Sequence, residues 1–185
     1  MVRVKDSIKA TKVGTRAGGV ALIAALLLSA MGPALAGNSP AHGRPLTAYE
    51  LLLLVKDRTW QWDEGAGRFF GDDRRFIAFT NGKDGPTYGE GHFRLSDKGR
   101  LCLAVKWGSG AGVSDAGTCF LHREVDGVIY QRREGSGDWY PFKHKPLVET
   151  DEYAKFTKDD LVSKEFAKIK AEVDAKTRQG KGDQS

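Results

Sequence analysis

The spacing of apolar residues changes twice along the chain. "LTAYELLLLVKDRTW" holds a dense apolar run, Leu51 to Val55, behind Thr47 and Glu50. Thr47 suits a helix N-cap, and Glu50 three residues later completes a capping box. Leu46 and Leu51 are spaced for a hydrophobic staple, and the pattern predicts a helix over about Ala48 to Lys56. From Thr59 the period falls to two. "TWQWDE" puts Trp60 and Trp62 on one face of a strand and Gln61 and Asp63 on the other. "GRFFGDDRRFIAFTNGKDG" predicts an aromatic strand, a turn at Asp72-Asp73, a strand around Arg75 to Thr80 and a turn at Asn81-Gly82. "TYGEGHFRLSDKGRLCLAVKW" reads as a hairpin turning at Asp97-Lys98-Gly99, and "TCFLHREVDGVIYQRR" as another, closed by Asp126-Gly127. "DWYPFKH" supplies a last aromatic strand, with Pro141 marking an edge.

Six to eight short strands at close intervals predict a mostly β protein: an antiparallel meander forming a curved sheet or small barrel. An N-terminal and a C-terminal helix pack outside it, the first over an open end or face. The second helix comes from the charged segment after Pro146. There Val162, Phe166, Ile169 and Val173 recur at helical spacing, with Thr157 and Asp160 placed as N-caps. A narrow seam of this kind docks a surface helix; alternatively it offers a face to a protein partner.

The N-terminus changes the charge picture. Lys5, Lys9, Lys12 and Arg16 precede an uncharged run from Gly18 to Met31, then Gly32-Pro33 and Ala34-Leu35-Ala36. This is the pattern of a signal peptide cleaved after Ala36. The apolar run is shorter than the roughly 20 residues a spanning helix needs, so no stable membrane anchor is expected after cleavage. Formal net charge is +5, from 29 basic and 24 acidic groups. Five of the basic groups and one acid lie in residues 1–36, so the exported chain carries 24 and 23, a net of +1. No basic cluster remains of the kind that nucleic acid requires. The expected organisation is a signal peptide over 1–36, a flexible leader over 37–45, a β-rich domain over 46–153, and a charged amphipathic helix with a disordered tail over 154–185. The expected location is the periplasm or the medium.

Cys102 and Cys119 are the only cysteines. In an oxidising compartment a single pair is expected to be joined. The two lie on adjacent predicted strands, separated by the small-residue stretch "GSGAGVSDAG", which reads as a mobile hairpin loop. A zinc site would need four ligands. Cys119 and His122 alone do not supply them, and on a strand they point to opposite faces, which also argues against a nucleophilic pair. The Gly/Ser stretch lacks the spacing of a phosphate loop, and a strand follows it where such a loop needs a helix. No metal and no cofactor is expected.

Two patterns remain as candidate chemistry. In "YGEGHFRL", Glu90, His92 and Arg94 share one face, opposite Gly89, Gly91 and Phe93. Pointing inward they would grip a ligand; pointing outward they are ordinary surface groups. The glycines would let the sheet bend sharply. His122 shares its face with Phe120 and Glu124, and the same alternatives apply. The second pattern is the aromatic content, Trp60 and Trp62 foremost, which fits either a small β-core or a binding site for a small molecule or glycan.

"LTAYELLLLVKDRTWQW", "YGEGHFRLSDKGRLC", "TCFLHR", "IYQRR" and "DWYPFKH", in that order, resemble the proteobacterial family catalogued as domain of unknown function 995. The likeness spans about Leu46 to Tyr153. It implies one small exported domain and transfers no catalytic residue. The expected function is a disulfide-stabilised, non-catalytic binding protein of the cell envelope, with Glu90, His92, Arg94, His122, Trp60 and Trp62 as candidate ligand contacts. The alternative is a small envelope hydrolase using Glu90, His92 and His122.

Overall fold

The computed structural model describes residues 39–182. The expected signal peptide and its expected cleavage after Ala36 lie outside the described residues. In chain order the elements are β1 (Arg44–Pro45), α1 (Ala48–Val55), β2 (Arg58–Trp62), β3 (Gly65–Phe69), β4 (Arg75–Gly82), β5 (Gly85–Ser96), β6 (Arg100–Ser109), β7 (Gly112–Val125), β8 (Val128–Arg133), β9 (Tyr140–Lys143), β10 (Phe156–Thr157) and α2 (Ser163–Gly182). The strands form one antiparallel sheet in the order β10-β2-β3-β4-β5-β6-β7-β8-β9, with β1 added along β7. Among the described residues no helix is long and apolar enough to cross a membrane.

The sheet curls into a half-barrel. Trp60 on β2 touches Phe120 on β7, with ring centroids 5.8 Å apart. The two strands are five places apart in the sheet, and neighbouring strands sit about 4.8 Å apart. A flat sheet could not bring those rings together, so their face is the concave one. Gly91 marks where the curl is tight: a Cβ there would fall 1.9 Å from the Ala104 carbonyl oxygen on β6. The end strands β9 and β10 meet through Phe142 and Phe156, 5.8 Å apart, and not through a hydrogen-bonded ladder.

The concave core is aromatic. Phe69, Phe76 and Phe93 are buried, the Phe69 ring touching both others, with Leu101 and Phe120 beside them. Helix α1 covers one end of this face and inserts Val55 into the same cluster. Its start is fixed by the capping box, Thr47 Oγ1 accepting from Glu50 N–H while Glu50 accepts from Thr47 N–H. Ala48 N–H also donates to Asp97 at the β5–β6 turn, which ties the helix to that end of the sheet.

Helix α2 lies on the convex face. Val162, Ile169 and Val173 are buried, and with Phe166 they pack on Ala66, Ile77, Phe79 and Tyr88. The helical stripe thus docks on the protein's own sheet. Asp160 accepts from the N–H groups of Val162 and Ser163, so the capping side chain is Asp160, and Thr157 belongs to β10.

Two segments differ from expectation. "GSGAGVSDAG" is not a mobile loop. It is almost all strand, β6 running to Ser109 and β7 beginning at Gly112. Small residues hide the alternation of a strand, while the ladder needs only their backbone. Residues 37–45 are expected to be a flexible leader, yet Arg44 and Pro45 pair with Glu124 and Arg123. Arg44 forms ion pairs with both Glu50 and Glu124.

Candidate functional site

The concave face leaves a trough of about 450 Å³ beyond the buried phenylalanines. Its walls are Trp60 and Trp62 from β2, Trp107 from β6 and Phe120 from β7. Alternation puts all of them on one face, and each of the large indoles Trp60 and Trp107 stands opposite a glycine, Gly67 and Gly89. Trp60 is held in place by its indole N–H, which donates to Glu152 at 2.8 Å. Three of the chain's four tryptophans therefore line one hollow.

Polar side chains in the trough are few: Thr118, Arg133 and Tyr140. Arg133 on β8 lines it and is exposed. Among the described residues its guanidinium makes neither a hydrogen bond nor an ion pair. Tyr140 on β9 stands on the same wall. Its hydroxyl donates to Gln131 Oε1 at 2.5 Å. Gln131 Nε2 is 2.7 Å from His122 Nε2, and His122 Nδ1 is 3.3 Å from the Gly99 carbonyl oxygen. Gln131 and His122 are both buried. Burial pulls the His122 ring down to about pH 4, with the Gly99 carbonyl opposing the shift. The imidazole is therefore neutral at pH 7. Burial, with the nearby Glu152 charge, pushes the Tyr140 hydroxyl up to about 12.

Gly99 anchors this relay. It has φ +73° at the β5–β6 turn, and a Cβ there would lie 2.2 Å from the His122 carbonyl oxygen. The same Gly99 carbonyl that meets the ring also accepts the His122 backbone N–H at 2.7 Å. The turn therefore folds onto β7 as only glycine allows.

The sequence candidates separate between the two faces. Trp60 and Trp62 line the trough, and His122 lies buried behind Tyr140. Glu90, His92 and Arg94 are exposed on the convex face. Glu90 is 3.7 Å from Lys170 of α2. The hydrolase set is therefore not assembled: Glu90 and His92 are on one side of the sheet and His122 is on the other. A cleft of about 710 Å³ beside α2 includes Glu90 and His92. Its two lysines each face a carboxylate, Lys170 with Glu90 and Lys106 with Asp115.

Cys102 and Cys119 are directly opposite across β6 and β7, with Cα atoms 4.0 Å apart, and are joined. Glu134 lies beside the sulfurs and pairs with Arg100. A second buried polar cluster lies away from the trough. Asp151 accepts from the His144 ring at 2.5 Å and from the backbone N–H groups of His144 and Val148. Burial works to raise the Asp151 carboxyl, but these hydrogen bonds outweigh it and hold it below its ordinary value. This cluster clamps the 144–151 segment.

Arg133, Gln131 and Thr118 escaped the sequence reading, and Trp107 and Tyr140 entered it only as members of predicted strands, not as site candidates. A signal was present. A two-residue turn at Asp126-Gly127 fixes the register of the hairpin around it. Counting outward from Val125 and Val128 pairs His122 with Gln131 and Phe120 with Arg133, as observed.

The family model described as "Protein of unknown function (DUF995)" matches residues 21–162. No curated protein and no solved structure matches the chain.

Proposed function

The chain belongs to the DUF995 family, whose description names no activity, and we propose that it is an exported binding protein whose trough takes a small acidic amphiphile. Arg133 carries this proposal. An exposed guanidinium with no partner among the described residues, beside aromatic walls, can pair with an anionic group while the walls bury an apolar body. The scarcity of other polar groups in the trough favours an amphiphile over a glycan, whose many hydroxyls would need partners. Export is supported by the basic, apolar and A-x-A succession of residues 1–36 and by the paired cysteines.

The test is a titration of the oxidised protein with 1-anilinonaphthalene-8-sulfonate, an aromatic anion of suitable size. Saturable binding of one dye per chain is expected, with quenching of tryptophan emission. Arg133→Ala weakens binding about tenfold, the scale of one charge-assisted hydrogen bond, and Arg94→Ala on the convex face leaves it unchanged. Dodecanoate displaces the dye. Displacement by galacturonate and not by dodecanoate would move the ligand to the glycan class. Equal effects of the two arginine variants would remove the trough as the site.

A further inference from the structure

We infer that Tyr140 is a committed hydrogen-bond acceptor of the trough, a specificity-determining residue that selects ligands presenting an O–H or N–H group. The inference rests on the trough being the binding site. A free tyrosine hydroxyl rotates and can donate or accept. Here a buried relay removes that choice. The Gly99 carbonyl can only accept, so His122 Nδ1 carries the proton that faces it. A neutral imidazole has one N–H, so Nε2 is an acceptor, and the Gln131 amide turns its NH₂ toward it. Gln131 Oε1 is then left facing Tyr140, whose hydroxyl proton it receives. Every step follows from the one before, beginning at a backbone carbonyl.

The neutral state of the ring has its own cause. His122 is 1% exposed and its hydrogen-bond partners are a carbonyl and an amide. A buried cation with no carboxylate beside it is strongly disfavoured. Tyr140 keeps its proton because burial and the neighbouring Glu152 charge oppose ionisation. With that proton committed inward, the phenol oxygen of Tyr140 can offer the trough it lines only a lone pair, whereas the Thr118 hydroxyl can donate or accept. Arg133 is a pure donor on the same wall. The pair thus specifies a ligand with an acceptor, preferably anionic, at one point and a donor at another. A hydroxylated aromatic or aliphatic acid satisfies both.

Three probes of one shape test this: 6-hydroxy-2-naphthoate, 6-methoxy-2-naphthoate and 2-naphthoate, each titrated by tryptophan quenching. The hydroxy acid is expected to bind about five- to tenfold more tightly than either of the others, the range of one neutral hydrogen bond. Tyr140→Phe brings the three affinities together, whereas Arg94→Ala on the convex face keeps the hydroxy acid ahead of the other two. Gln131→Met frees the Tyr140 proton to point outward, so the advantage of the hydroxy over the methoxy acid shrinks at least threefold. Equal binding of all three by the unmodified protein, with 2-naphthoate still bound in the trough, overturns the acceptor role and leaves the ligand site standing. If none of the three binds, the trough is not a site for acidic amphiphiles and the acceptor role falls with it.

Discussion

On the concave face the sheet presents three indoles, one guanidinium without a partner among the described residues, and a tyrosine whose proton is bound inward. On the convex face ions answer ions. Glu90 meets Lys170, Lys106 meets Asp115, and Arg100 meets Glu134, while α2 covers the apolar part. Both faces are built from the same strands by simple alternation. They differ in what is left unsatisfied. The convex face has used its apolar stripe on a helix and several of its charges on one another. The concave face has buried its phenylalanines and left a row of larger rings open, next to the exposed Arg133 guanidinium. A polar stripe read from sequence, such as Glu90-His92-Arg94, therefore says little about function until its face is known.

The comparison can be pressed from both sides. The largest effect is expected from Phe69→Ala. Phe69 is 1% exposed at the centre of the concave core, and truncation should cost about 3–5 kcal/mol by urea denaturation. Next is the pH dependence of the buried relay. The folded His122 pKa is about 4 against an ordinary 6.5. Between those values the unfolded chain binds a proton that the folded chain does not, so stability falls as pH drops from about 6.5 to about 4. The loss is of order 3 kcal/mol. His122→Gln should flatten that part of the profile, and an unchanged slope would mean that the ring is not held neutral.

Convex changes should act on stability alone. Replacing both cysteines by serine removes a bond between residues 17 apart in sequence. The expected loss is about 3 kcal/mol in the chain-entropy model, with dye affinity at the trough retained. Ile169→Ala, in the seam of α2, should cost about 2 kcal/mol and likewise spare binding. Arg94→Ala, fully on the surface, should change stability by less than about 0.5 kcal/mol. Any of these three that weakens dye binding severalfold would show the faces to be coupled.

Much of this architecture is legible in the chain. Thr47 and Glu50 announce the cap of α1, Asp126-Gly127 closes a hairpin, and the 162-166-169-173 spacing gives the buried side of α2. The disulfide follows because one hairpin register brings Cys102 opposite Cys119. The trough is far less legible. It joins β2 to β6 through β9, and its depth depends on how strongly the sheet curls, a property of many strands together. The side of the sheet that becomes concave is also not written in any one strand. Glu90 and Trp107 both alternate cleanly, yet one faces solvent and the other faces the hollow. Gly91 is the nearest thing to a local signal, since the strands approach too closely there for any side chain.

The most direct test uses the four indole N–H signals of protein carrying ¹⁵N-labelled tryptophan, followed during titration with dodecanoate. Trp60, Trp62 and Trp107 line the trough, while Trp139 lies outside it beneath Arg132. The expected result is saturable shifts of the first three signals at one ligand per chain, with Trp139 unmoved. Shifts at Trp139 alone, or none at all at saturating ligand, would contradict a ligand site on the concave face.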